Sequence, residues 1–291
     1  MHRTYTTIQF PEKLDAPQMD GVFGIVAQCG KPGLSKRCVL DLSGLRFMAP
    51  GGLTGLVQCV VHLCNQGWLP SVRFPTDDGT AQYLVRMGIR RALRGRARCL
   101  GAPRGRRRYG HSTALVELTT IQKTGDVDAL LDGLTDSVAD ILEEQLGYSG
   151  ADVGNFTSVI SELSRNIIDH SGAIGFVAAQ RYTAASRTRF ALISVGDVGV
   201  GLRETLGQRY PVSGWSDAEV IIRALMRDYS RYPNRGLGLA LVRKVCQDYR
   251  GSLHIRSSTC RIYVRGRKTV AIDAGWFPGT QVAISLQQKQ D

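Results

Sequence analysis

Three short segments of this chain carry the residue types that chemistry at a phosphate group requires. The first is the stretch 156–170, FTSVISELSRNIIDH. Val159, Ile160, Leu163, Ile167 and Ile168 form an apolar helical stripe, while Glu162, Asn166 and the pair Asp169 and His170 recur at i, i+4 and i+7/i+8 on another face. A carboxylate one turn from an amide can orient or deprotonate an attacking hydroxyl or water. The amide oxygen is a hard, neutral ligand suited to Mg²⁺. The same spacing also describes the solvated face of an ordinary amphipathic helix. The second segment follows a β-rich run at 189–195 and reads Asp197-Val-Gly199-Val-Gly201. It holds a carboxylate at a strand end, beside backbone that a ligand can approach closely. Such a carboxylate can accept a hydrogen bond from an exocyclic amine such as that of adenine. A plain strand followed by a glycine turn has the same pattern. The third is Asn234-Arg-Gly236-Leu-Gly238, which introduces an apolar helix and leaves free N–H groups at its start, an anion site.

The surrounding pattern supplies elements to hold these segments. Over the first hundred residues, strand-like runs at 4–10, 37–42 and 69–74 alternate with helix-like runs at 52–65 and 80–93. This order suggests a small α/β domain with a mixed sheet. A strand at 114–118 is followed by one helix over 126–146, with apolar residues at a period near 3.6 and Gly147 placed to stop it. Further strands are expected at 174–182, 252–257, 261–264 and 279–286. The domain organisation read from this is 1–100, a basic linker at 101–125, and 126–291.

Glu-x-x-x-Asn on a helix, then Asp-x-Gly-x-Gly after a strand, then Gly-Leu-Gly-Leu opening a helix, resembles the GHKL family. This is the Bergerat-type ATP-binding fold of gyrase, MutL, histidine kinases and anti-sigma-factor kinases, and the resemblance covers about residues 125–286. It implies an α/β sandwich with helices on one face of a mixed, mainly antiparallel sheet, binding ATP and Mg²⁺. It assigns Glu162 as general base or water-orienting residue and Asn166 as the Mg²⁺ ligand. Asp197 would bind the adenine amine, with Gly199 and Gly201 making room. Arg235, Gly236 and Gly238 would lie against the phosphates, and Asp169 near the nucleotide. The stretch 202–235 would be a mobile lid containing a short helix at 217–226, with Arg209, Arg231 and Arg235 as candidates to meet the γ-phosphate.

The segment 41–56, DLSGLRFMAPGGLTGL, resembles a STAS domain, the fold of anti-sigma-factor antagonists, over about residues 1–95. That family's loop usually offers Asp-Ser-Ser-Gly, whose first serine accepts phosphate. Here Ala49-Pro50-Gly51-Gly52 stands in its place, and none of these carries a hydroxyl. The expectation is a regulatory or docking domain for an unidentified protein partner, not a phosphoryl acceptor.

Composition bounds the alternatives. The chain has 291 residues, 43% of them hydrophobic, enough for two cored domains. Of the net charge of +12, most comes from residues 86–108, which hold ten arginines and no acidic residue. That stretch reads as a solvated linker, a surface for an acidic partner protein, or an arm contacting nucleic acid non-specifically. The seven cysteines include no CxxC pair, so neither a disulfide framework nor a zinc site is indicated. The N-terminus is polar and no run reaches the roughly 18 apolar residues of a membrane span, so a cytoplasmic protein is expected.

Three functions follow. The first is an ATP-dependent regulator, either a serine/threonine kinase of the anti-sigma-factor type or a slow ATPase. The second is a nucleic-acid-associated ATPase, and the third a non-catalytic ATP-gated scaffold. A sensor histidine kinase is disfavoured, since one helix without histidine precedes the ATP segment. A gyrase-type machine is disfavoured because no transducer domain follows it. Related ATP domains often dimerise, which makes a homodimer a further expectation.

Overall fold

The computed structural model describes residues 6–30, 36–103, 114–134, 136–226 and 238–289. The N-terminal part runs β1 (Thr6–Gln9), β2 (Lys13–Leu14), α1 (Ala16–Gln28), β3 (Arg37–Asp41), β4 (Phe47–Met48), α2 (Pro50–Asn65), β5 (Leu69–Arg73), α3 (Asp78–Arg86), α4 (Ile89–Ala92) and β6 (Arg98–Leu100). Its main sheet has the order β1-β3-β5-β6, and every pairing is parallel rather than mixed. The reason is connectivity: a helix lies between each pair of successive main strands, and a strand–helix–strand crossover returns the chain in the same direction.

Two helices depart from the periodicity reading. Helix α1 was not expected, yet its start is encoded in a capping box. The Asp15 carboxylate accepts from the Gln18 backbone N–H at 3.2 Å, and the Gln18 side chain accepts from the Asp15 N–H at 3.3 Å. The helix expected over 80–93 is divided into α3 and α4 by Gly88, whose φ of +84° a side chain disfavours.

The C-terminal part runs β7 (Ala114–Ile121), α5 (Thr124–Asp132), α6 (Asp136–Leu146), α7 (Gly150–Asn166), β8 (Gly175–Thr183), β9 (Arg189–Asp197), α8 (Gly201–Gly207), α9 (Asp217–Ala224), α10 (Gly238–Asp248), β10 (Ser252–Arg265) and β11 (Lys268–Gln287). Five strands form a sheet in the order β10-β11-β9-β8-β7, antiparallel at every described pairing. Its outer strand β7 starts within the stretch 101–125 that reads as linker.

The single helix expected over 126–146 is two, α5 and α6. Helix α5 ends at Gly133, whose N–H bonds back to Ala129 O at 3.1 Å. Neither helix contains a histidine. Val127, Leu130, Leu134, Val138, Leu142 and Leu146 are buried in the core between the helices and one face of the sheet. These two helices are therefore committed to packing within the chain. The two strands expected at 252–257 and 261–264 are one, β10, with an irregularity at Ser258 (φ +58°).

The other face of the same sheet is covered by the N-terminal part. Helix α2 is buried from Gly52 to Leu63 without a break. A helix buried on all sides must be covered on all sides. It lies between β5 of the parallel sheet and β8, β9 and β11 of the antiparallel one. Phe176, Ala178 and Phe277 of the antiparallel sheet share one core with Phe23, Leu56 and Val60 of α1 and α2. The Phe23 and Phe277 rings stack at 4.1 Å.

An ion-pair cluster pins the same seam. Asp20 on α1 meets Arg256 Nε at 3.2 Å and Arg261 Nε at 2.7 Å, and the Arg256 side chain is 3% exposed. Removing the carboxylate leaves two arginines desolvated and uncompensated, which for buried pairs costs about 3–5 kcal/mol. Asp20→Ala is expected to lower the urea unfolding midpoint by a corresponding amount, and a loss below about 1 kcal/mol would show the pair to be energetically idle.

The described arginines of the basic stretch sit on folded elements. Arg86 lies over the Tyr83 ring, Arg91 donates to Leu118 O at 3.2 Å, and Arg96 donates to Ala92 O at 3.3 Å. Arg104, Arg106, Arg107 and Arg108 lie outside the described residues. Among the described residues, no helix is long and apolar enough to cross a membrane.

Candidate functional site

The three chemical segments meet at one end of the antiparallel sheet. Helix α7 carries Glu162 and Asn166 one turn apart, as the spacing requires. Its apolar stripe, Phe156, Val159, Ile160 and Leu163, is buried, which turns Glu162 and Asn166 to a half-buried face. The helix does not continue regularly to His170. Ile167–Ser171 is a π turn ended by Gly172 at φ +64°. The i→i+5 turn changes the angular register over Asp169 and His170, and Asp169 stays close enough to Glu162 to act on its charge. Such irregular turns within helices are frequent at functional sites.

Asp197 ends β9 and is buried. One carboxylate oxygen accepts from the Gly199 N–H at 2.8 Å and the other from the Thr280 N–H at 3.3 Å. The loop after it is tied to the π turn, since the Val200 N–H donates to Ser171 O at 3.1 Å. A Cβ on Gly199 would overlap that same Ser171 carbonyl, so only glycine fits there. Gly201, at φ +76°, opens α8, with the Ser257 hydroxyl and the Gly279 carbonyl packed on it. A Cβ on Gly279, at φ +78°, would overlap the Asp197 backbone carbonyl. These close approaches explain the glycines physically: backbone runs where side chains would stand.

The third segment joins the first. Gly238 opens α10 at φ +48°, and a Cβ there would lie 3.8 Å from Glu162 Oε1. The phosphate-type helix start is thus beside the candidate catalytic carboxylate. Gly236 and Arg235 lie outside the described residues, as does Arg231. Arg209 stands over the Tyr210 ring at 5.3 Å. Of the stretch 202–235 read as a lid, residues 202–226 are folded as α8, a short turn and α9. Asp217 at the start of α9 clasps β10, accepting from the Thr259 N–H at 3.0 Å and from Arg203 Nε at 2.8 Å.

Sequence reasoning left out Ser171, Ser257 and Gln281, which line this end of the sheet, and Gln58 from the N-terminal part. Gln58 on α2 is fully buried and donates from Nε2 to Asp197 O at 2.7 Å. A signal for it was present: Thr54, Gln58 and His62 recur at i, i+4 and i+8 on a helix whose other interior positions are small or apolar.

The electrostatics divide the two carboxylates. Burial raises the pKa of Asp197 from its usual 3.8 to about 7, against the two backbone N–H bonds that lower it. Burial also raises Glu162, with Arg165 opposing and Asp169 reinforcing the shift. A half-buried carboxylate with a raised pKa is a better proton acceptor than an exposed one.

The sequence of residues 151–289 matches the family described as histidine kinase-, DNA gyrase B-, and HSP90-like ATPase, HATPase_c. Residues 151–289 form a HATPase_c domain. No curated protein matches the chain. The family implies ATP binding and ATPase- or kinase-type activity, usually with Mg²⁺. The α/β sandwich expected from sequence is the fold observed, with α5, α6, α7 and α10 packed on one face of the HATPase_c sheet.

The Asp197 pKa gives a pH signature. A nucleotide amine that donated to Asp197 would favour the ionised carboxylate, so binding would release a proton while Asp197 is protonated in the free protein. Affinity for ADP is expected to climb as pH rises toward about 7 and to flatten above it, by up to about tenfold per unit on the rising limb. In the unliganded protein the sign is opposite. The stability contributed by this raised pKa is full below the usual 3.8 and is lost as pH rises through about 7. Binding titrations across pH 5–8, taken as the difference from Asp197→Asn so that phosphate ionisation cancels, check the first effect.

Proposed function

We propose that this protein is an ATP- and Mg²⁺-dependent regulator, a slow ATPase or serine/threonine protein kinase of the anti-sigma-factor type, whose nucleotide state controls partner binding. The observation that supports it most is the Gly238 helix start beside Glu162, together with the loop after Asp197 tied to the π turn that ends the Glu162 helix. Asp197 binds the adenine amine, Gly199 and Gly201 let the chain close up around that carboxylate, and Gly238 lies against the phosphates. Glu162 orients or deprotonates the attacking hydroxyl or water, and Asp169 stands near the nucleotide. The donor set fits Mg²⁺: the Asn166 amide oxygen, one turn from Glu162, is a hard ligand, and the ion when bound neutralises charge on the phosphates. In this reading the ATP-binding domain takes in residues 126–291 together with β7 from the stretch 101–125, and follows a STAS-like domain at 1–100.

Two observations bear on the choice among activities. Helices α5 and α6 carry no histidine and are packed in the core, which disfavours a dimerising histidine-phosphorylated hairpin. At the STAS-like loop, Ala49 is the residue before α2 and Pro50 its first residue, so no hydroxyl stands at the usual acceptor position. The N-terminal domain is therefore regulatory in this reading and not the phosphoryl acceptor. Incubation with γ-labelled ATP and Mg²⁺, following free phosphate and protein-bound label separately, tests the activity. Free phosphate marks an ATPase and label on a partner marks a kinase. ATP binding with neither product leaves a nucleotide-gated scaffold and removes the catalytic part of the proposal.

A further inference from the structure

Helix α2 is the element on which the two halves of the chain depend in common, and one face of it is polar. Thr54, Gln58 and His62 lie at i, i+4 and i+8 and all three are buried. Each faces the HATPase_c sheet. The Thr54 hydroxyl is 2.9 Å from the Ser194 hydroxyl on β9. The His62 ring lies 5.1 Å from the Phe277 ring on β11. Between them Gln58 donates to the backbone carbonyl of Asp197 at 2.7 Å, and Gln281 of β11 reaches the same carbonyl at 3.3 Å. The Asp197 peptide is thus gripped by two amide side chains, one from each half of the chain.

The grip is built into neighbouring residues. A Cβ on Gly196 would lie 2.6 Å from Gln58 Oε1, so glycine at 196 is what lets the amide lie flat on the strand. Among the described residues Gln58 Oε1 has no hydrogen-bond partner, although it is buried. A buried amide with one half unsatisfied is costly, and an aliphatic side chain of similar size would avoid the cost. Apolar packing alone gives no reason for glutamine here; the bond to Asp197 does.

We propose that Gln58 is a positioning residue for nucleotide recognition: through the Asp197 backbone it fixes where the Asp197 carboxylate meets the base, which makes the N-terminal domain a working part of the ATP site. The inference rests on the reading of Asp197 as the group that accepts from the adenine amine. Misplacing a hydrogen-bonding group weakens discrimination most for the ligand atom it reads. Loss of Gln58 should therefore erode the preference for the 6-amino group, while contacts to sugar and phosphates remain.

The test compares ATP with inosine triphosphate, which carries an oxygen in place of the 6-amino group, on the full chain. Wild type should prefer ATP by about tenfold or more, since a carboxylate facing that oxygen is left without its donor. Gln58→Met should cut the preference by about threefold or more, and Thr54→Val, on the same helix face but off the Asp197 carbonyl, should keep it. Gln58→Asn withdraws the amide by one methylene and should reproduce the loss in a milder form; it carries the test where the methionine variant fails to fold, with thermal melting as the check. A merely structural role would weaken both nucleotides equally. A folded Gln58 variant with unchanged preference, beside a wild type that prefers ATP, overturns the inference alone. A wild type that binds neither nucleotide overturns the nucleotide reading and this inference with it.

Discussion

Asp197→Asn is expected to lower ATP affinity by about 10–150-fold, the worth of a charged hydrogen bond of about 1.5–3 kcal/mol. Both Asp197 oxygens already accept backbone N–H bonds, from Gly199 and Thr280. An asparagine has one acceptor oxygen and an NH₂ group, so in either orientation one N–H donor faces another. The variant thus loses the acceptor for the base and distorts the cradle that aims it. Calorimetric titration with ATP and Mg²⁺ measures the effect, with circular dichroism to verify the fold. An affinity within about twofold of wild type would remove Asp197 from base recognition.

Glu162→Gln is expected to reduce turnover by about 10²–10⁴-fold while leaving the ATP dissociation constant within about threefold. The side chain sits on the half-buried face of α7 beside the Gly238 helix start, with a pKa raised by burial. Glutamine keeps the shape and the neutral form but cannot take a proton. A fall in kcat with little change in binding assigns Glu162 to the chemical step. Unchanged turnover assigns hydrolysis or transfer to another group. A loss of binding with kcat unchanged would mean that Glu162 acts on the ground state alone.

Much of the site was legible because its residues are constrained locally. Glu162 and Asn166 share a face through helical spacing. Gly199 and Gly201 stand out because backbone approaches backbone there, which leaves a residue-type signature in the sequence. What could not be read depends on contacts between distant segments. The π turn at Ile167–Ser171 has no periodic signal, so the backbone that carries Asp169 and His170 could not be read from helical spacing. The break between α5 and α6 falls inside one continuous apolar period, where hydrophobic pattern alone cannot distinguish one helix from two that pack on the same core.

The N-terminal part teaches the same lesson at larger scale. The apolar run of α2 was recognised as a buried helix, but period counting does not say what buries it. The answer is two sheets, one of them from the other half of the chain. The N-terminal part, read from sequence as a regulatory or docking domain, packs its own core against the outer face of the antiparallel sheet. Asp20 paired with Arg256 and Arg261 and Phe23 stacked on Phe277 are all contacts across more than two hundred residues of sequence, invisible to any local rule.

Equilibrium titration of the wild-type chain with ATP, with Mg²⁺ and then with the metal chelated, tests the central claim most directly. Saturable binding at one site per chain is expected, weakened when Mg²⁺ is removed and displaced by ADP. Absence of saturable binding at ATP concentrations up to about 1 mM, where even a weak site worth about 4 kcal/mol would be half filled, would contradict it.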